Sequence, residues 1–130
     1  MGQLVLVGLV EPQADMEDAF NEWYLGNHVE DTARAPHVKL ARCYRAVRGF
    51  LGEPPSGYLA IYEVNIDDPA EAERVLGDYQ RDPQAWAERQ PGNGSLKVIG
   101  AGWYEEVLAF DADGSPLAGT PTNDTTQEIS

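Results

Sequence analysis

The chain is poor in cysteine, histidine and base. One cysteine, Cys43, stands alone, so no disulfide can close within the chain. That usage fits a reducing compartment, and a cytoplasmic protein is expected. Only two histidines are present, and neither belongs to a CxxC, HxxxH or HExxH pattern. No zinc site is expected, and no cofactor of any kind. Nine Lys and Arg face 22 Asp and Glu, a net charge of −13. Such a surface is repelled by phosphate backbones and anionic bilayers, so nucleic acid and membrane are excluded as partners. No apolar run approaches the ~20 residues of a membrane span. The N-terminus carries no basic segment before its apolar stretch, which is not the pattern of a secretory signal.

What is present suits one folded domain. The 130 residues are 42% hydrophobic and 9% aromatic, enough to bury a core. Residues 3–10, QLVLVGLV, are almost continuously apolar and read as a central strand covered on both faces. A helix is expected over about 14–25, with Asp15 as N-cap and Met16, Ala19, Phe20 and Trp23 at helical spacing. Gly26 weakens it, and a further turn over 28–34 ends at Pro36.

Residues 37–48 read as a strand with Val38, Leu40, Tyr44 and Ala46 on one face and Arg42 among them. Residues 58–66 form another strand. Asp68 followed by Pro69 is a strong helix start. Asp82-Pro83 repeats that signal, so the second helical region comes in two pieces. Residues 96–110 form the last strand, bulged at its glycines. The domain therefore covers 1–110, and 111–130 is a flexible or partner-wrapping tail.

The order β-α-β-β-α-β is the ferredoxin-like pattern: an α+β fold with one four-stranded antiparallel sheet and two helical regions on one face. The strands are apolar on both alternation sets, Tyr58, Ala60, Tyr62 and Val64 against Leu59 and Ile61. The uncovered face needs cover, and a homodimer through the sheet faces supplies it.

His28 leads the candidate site, because an ordinary imidazole exchanges protons near neutrality. If the helix runs through Gly26, Tyr24, His28 and Asp31 share one face. Asp31 then orients the imidazole, and Tyr24 shares a substrate oxygen. Asn27, four residues after Trp23, is placed to donate to an oxyanion. Trp23 reads as core. Arg42, in phase with apolar residues, is a salt-bridged strut or an anion anchor. His37 is a solvent-facing edge residue and a second candidate. Tyr44, Tyr62 and Trp86 offer aromatic surface to a substrate, and Cys43 reads as a small buried hydrophobe.

The stretch FNEWYLGNHVEDTARAPHVKLARCYRA, residues 20–46, resembles the EthD-like section of the dimeric α+β barrel superfamily. The carrying residues are Trp23, Tyr24 and His28, then Pro36, then the Arg42–Tyr44–Arg45 strand. Where these families often have glycine after the proline, this chain has His37. The resemblance implies paired ferredoxin-like sheets and a cleft between sheet and helices. Relatives in that superfamily range from cofactor-free isomerases and polyketide cyclases to quinol and haem monooxygenases, so fold alone selects no reaction. The expected function is a cofactor-free acid/base enzyme, an isomerase, cyclase or lyase of a small aromatic or polyketide-like carbonyl compound. A quinol or haem monooxygenase and a non-catalytic binding or accessory subunit are the alternatives.

Overall fold

A computed structural model describes residues 2–80 and 93–121. Four strands are present: β1 (Leu4–Pro12), β2 (Val38–Arg45), β3 (Tyr58–Val64) and β4 (Leu96–Glu105). They form one antiparallel sheet in the order β2-β3-β1-β4. The apolar run of β1 lies at an inner position, where both edges are hydrogen-bonded. The fold is α+β and ferredoxin-like.

The first helical region is continuous from residue 17 to residue 33. It comprises α1 (Glu17–Phe20), a π-helical segment (Asn21–His28) and α2 (Val29–Ala33). Its start departs from expectation. Asp15 is no N-cap: it takes the left-handed conformation, with φ of 63°, inside a turn closed by Met16 N–H donating to Gln13 O. Met16 occupies the cap position without a side-chain hydrogen bond. Gly26 does not break the helix; it lies within the π-helical segment.

The second region, α3 (Pro69–Gln80), begins where the Asp-Pro signal places it. Asp68 Oδ2 accepts the Glu71 backbone N–H at 3.2 Å. The expected piece around Asp82 and Trp86 lies outside the described residues.

Register assigns the two faces. Residues opposite each other in a ladder point the same way. Leu4, Leu6 and Val10 share the helix-covered face with Tyr58, Ala60, Tyr62 and Val64, and with Ala41 and Cys43 of β2. Val5, Val7 and Leu9 share the open face with Leu59 and Ile61, and with Leu40, Arg42 and Tyr44. An irregularity between Val38 and Leu40 turns Val38 to the helix side, against Leu4 and Val64. The expected grouping of Val38 with Leu40 and Tyr44 is thereby corrected. A second irregularity follows Leu9 in the β1–β4 ladder, at the glycine-containing part of β4.

His37 adopts φ of 69°, a backbone region that costs a non-glycine residue about 1–2 kcal/mol. The backbone after Pro36 thus has the shape glycine favours, though a histidine occupies it. The first part of the expected tail is folded. Residues 109–120 close a short hairpin, with Asp111 N–H donating to Ser115 O and Leu117 N–H to Ala109 O. Residues 122–130 lie outside the described residues. No helix among the described residues is long and apolar enough to cross a membrane.

Candidate functional site

The π-helical segment builds the site. Val29 N–H donates to Tyr24 O, five residues back, instead of the four of an α-helix. Asn27 Nδ2 also reaches back five residues, to Glu22 O at 3.3 Å. The extra residue per turn rotates residues five apart toward one another. His28 therefore meets Trp23 (ring centroids 4.7 Å apart) as well as Tyr24 (5.2 Å). Phe20 stacks on Tyr24, with centroids 4.9 Å apart and planes within 10°. Phe20, Trp23 and Tyr24 are buried against Val10, Ala60 and Tyr62 of the sheet. Widened turns of this kind cluster at functional sites, and here one carries two aromatic rings and the imidazole.

Asp31 follows on α2 and is only 3% exposed. Buried carboxylates need partners. Tyr79 Oη, from α3, lies 3.0 Å from Asp31 Oδ1 and 3.1 Å from the Asp31 carbonyl oxygen, so its one proton serves either acceptor. Thr32, equally buried, donates its hydroxyl to His28 O at 2.9 Å and anchors the end of the widened turn.

Burial governs the ionisation of the group. It pushes the His28 imidazole down to about 4, with the Asp31 carboxylate pulling partly the other way. The expectation of an imidazole titrating near neutrality is overturned: this ring is neutral at physiological pH. Burial lifts the Tyr24 phenol well above the ordinary phenol range, and the neighbouring Tyr62 and Cys43 add to that. Tyr62 is pushed up to about 12, chiefly by burial, against an opposing effect of the Tyr24 hydroxyl. Both phenols stay protonated. The two act on each other, yet among the described residues no hydrogen bond of good geometry reaches the buried Tyr62 Oη. Burial also raises the Cys43 thiol, which faces the same core from β2.

The structure brings His28, Tyr24, Asp31 and Tyr62 together and leaves other candidates outside. Asn27 is exposed and bonded to its own helix backbone, so it does not join the cluster. Arg42 and Tyr44 lie on the open sheet face, in register with Ile61 and Leu59. Arg42 is exposed and makes no ion pair among the described residues, so the strut reading finds no partner among them. His37 is exposed, with Nδ1 3.0 Å from Asn65 Oδ1. Trp86 lies outside the described residues.

Sequence reasoning missed Tyr79 and the contact of Trp23 with His28. A signal for Tyr79 existed: Ala72, Leu76 and Tyr79 form an i, i+4, i+7 stripe, and Ala72 and Leu76 are buried. The Trp23 contact needs the i, i+5 geometry, which an α-helical spacing argument does not consider.

A cleft of about 530 Å³ opens between α3 and the sheet, walled by Leu6, Leu76, Gly77 and Trp103 with Glu73 and Arg74 at its rim. Leu6 also packs on the aromatic cluster, so cleft and cluster share a wall. Arg74 is held by Glu71 at 2.7 Å and Asp78 at 3.4 Å. No group of three or more His, Cys, Asp or Glu among the described residues is placed to hold a metal ion. His28 carries Trp23 and Tyr24 against its ring.

No protein-family model and no curated protein matches the sequence. Solved structures do match. An EthD family protein from Bacillus halodurans C-125 superimposes with a TM-score of 0.55 at 20% identity, over 81% of this chain and 99% of that one. HapK from Hahella chejuensis gives 0.56 at 14% identity, over 84% and 97%. A protein from Shewanella loihica PV-4, provisionally assigned as a monooxygenase, gives 0.54 at 14% identity, over 83% and 97%. These likenesses extend over nearly the whole length of each relative, and they establish that the chain has the EthD-like fold.

Proposed function

We propose that this chain is a cofactor-free acid/base enzyme, an isomerase, cyclase or lyase, acting on a small aromatic or polyketide-like carbonyl compound. The supporting observation is one neutral imidazole, two protonated phenols and a carboxylate gathered on the helix-covered face, beside a cleft of mixed polar and apolar lining. A neutral His28 accepts a proton from an acidic C–H beside a carbonyl. A phenol hydroxyl from Tyr24 or Tyr62 donates to the oxygen as charge develops there. The imidazolium so formed is stabilised by Asp31 and by the enolate beside it. The proton then returns to another carbon, or to a leaving oxygen, and the imidazole is neutral again. Low basicity in the free protein suits this cycle, since the ring enters uncharged and gains affinity only when an anion forms nearby.

Enolisable aromatic and polyketide-like carbonyl compounds supplied to the purified protein test the reading. His28→Ala should lower turnover roughly 100-fold or more while ligand affinity changes little. Unchanged turnover would refute the acid/base role, and ligand binding without any turnover would favour a carrier or accessory subunit.

A second reading, oxygenation of a quinol, draws on the Shewanella loihica relative. Oxygen uptake on addition of a reduced phenol would favour it.

The partner we propose is a second copy of the chain on the open face. That face exposes Tyr44 at 47% and Tyr104 at 61%, beside Val5, Val7 and Ile61. Light scattering should give about twice the chain mass, and the mass of one chain in dilute solution would contradict it.

A further inference from the structure

The geometry points to Tyr79 as a positioning residue: its hydroxyl ties α3 to the Asp31 carboxylate and holds that carboxylate toward the His28 imidazole. This inference rests on the reading of Asp31 and His28 as a working pair.

Three observations carry it. First, the tie is sequestered. Asp31 is 3% exposed, and the Tyr79 hydroxyl reaches both its Oδ1 and its carbonyl oxygen. A hydrogen bond from a neutral donor to a carboxylate is stronger than one between neutral groups, and more so away from water. Second, the tie joins distant parts of the chain. Asp31 and Tyr79 are 48 residues apart, and no other side-chain hydrogen bond described here joins α2 to α3. Arg74, by contrast, pairs with Glu71 and Asp78 along the exposed face of its own helix. Third, the carboxylate already acts on His28, opposing the effect of burial on the ring.

A carboxylate has two oxygens and a rotatable stem. Fixing one oxygen with Tyr79 fixes where the other points. Removing that hydroxyl takes away one anchor of the carboxylate, and its support of a protonated imidazole weakens. Tyr79 also sits near the end of α3, whose Leu76 and Gly77 wall the cleft. The seating of α3 that shapes the cleft thus also sets the proton affinity of the imidazole beside it. The other titratable groups of the cluster are Tyr24 on the same segment, Tyr62 on β3 and Cys43 on β2. All three remain protonated and uncharged at neutral pH, which leaves Asp31 as the charge that Tyr79 can steer.

The test is the acid titration of the His28 ring in the full chain, followed by nitrogen NMR, with His37→Asn used to assign the two imidazoles. Tyr79→Phe, with folding checked by circular dichroism, should weaken proton affinity at His28 roughly threefold or more. Asp31→Asn should weaken it at least as much, and the double substitution should add little. A Tyr79→Phe titration that matches the parent, while Asp31→Asn shifts it, overturns the role of Tyr79 and leaves the Asp31–His28 pair standing. An Asp31→Asn titration that also matches the parent removes the pair itself. In the unaltered chain the Tyr79 ring carbon bonded to oxygen should respond at the His28 midpoint. A flat response there overturns the inference without any substitution.

Discussion

The two helical regions occupy equivalent places in the repeated halves of this fold, and they are built by opposite means. The second, α3, follows local rules throughout. Asp68 caps it, Pro69 opens it, and Glu71, Arg74 and Asp78 pair along its exposed side. The first breaks those rules. It starts without a side-chain cap, carries glycine mid-way and widens into a π-helix for eight residues. Its hydrogen-bond ladder is not what holds it in place. Tertiary packing does that, through Phe20, Trp23 and Tyr24 against the sheet. Sequences depart from local consistency chiefly where function requires it, and the clustered titratable groups Tyr24, His28 and Asp31 belong to the irregular region.

The contrast can be broken most directly at Phe20. Its side chain is fully buried and touches Tyr24 and Tyr58, with ring centroids 4.9 and 5.0 Å away. Phe20→Ala should cost about 3–5 kcal/mol in urea unfolding, since it empties a large site under the widened turn. A loss below about 1 kcal/mol would mean the aromatic stack does not hold the irregular helix.

Acid probes the same region more gently. The His28 ring in the folded chain is held down to about 4, against 6.5 for an ordinary histidine. Between those values the unfolded chain binds more protons than the folded one. This contribution is therefore fully present above about pH 6.5 and is lost as pH falls through the window toward 4. The loss amounts to at most ~3 kcal/mol. His28→Gln should flatten that part of the stability profile, and an unchanged slope would place the ring in water.

The sequence was legible where one local rule decides an element. Apolar runs between turn-forming residues located the strands, and Asp68-Pro69 located α3. The chemistry of the first region was half legible. Spacing by four linked Tyr24 with His28, and the structure packs those rings together. Spacing by five is invisible to α-helical reasoning, so Trp23 was read as core alone although it lies against the imidazole. Arg42 was correctly placed in phase with Leu40 and Tyr44. The face they share is open in the single chain, and alternation cannot say which face the helices choose. The neutral state of His28 was also beyond reach, because desolvation depends on what the fold stacks around a ring.

Asp68→Ala sharpens the contrast from the regular side. It removes the only acceptor described for the Glu71 backbone N–H at the start of α3, and should cost about 1 kcal/mol. No cap substitution at Met16 should cost as much, since Met16 makes no side-chain cap hydrogen bond.

The smallest effect should carry the opposite sign. A Cβ added at Gly26 would meet only Asn21 O, at 3.9 Å, which is ordinary contact. Glycine in a helix interior costs about 0.5–1 kcal/mol relative to alanine, mostly through the freedom of the unfolded chain. Gly26→Ala should therefore stabilise by up to that amount in thermal or urea unfolding. The widened turn should survive, because it is held by the rings of Phe20, Trp23 and Tyr24 rather than by glycine. If the variant instead destabilises, or the His28 titration returns toward 6.5, then glycine is what permits the i, i+5 geometry. The irregular helix would in that case be set by its backbone, and the difference between the two halves would be local after all.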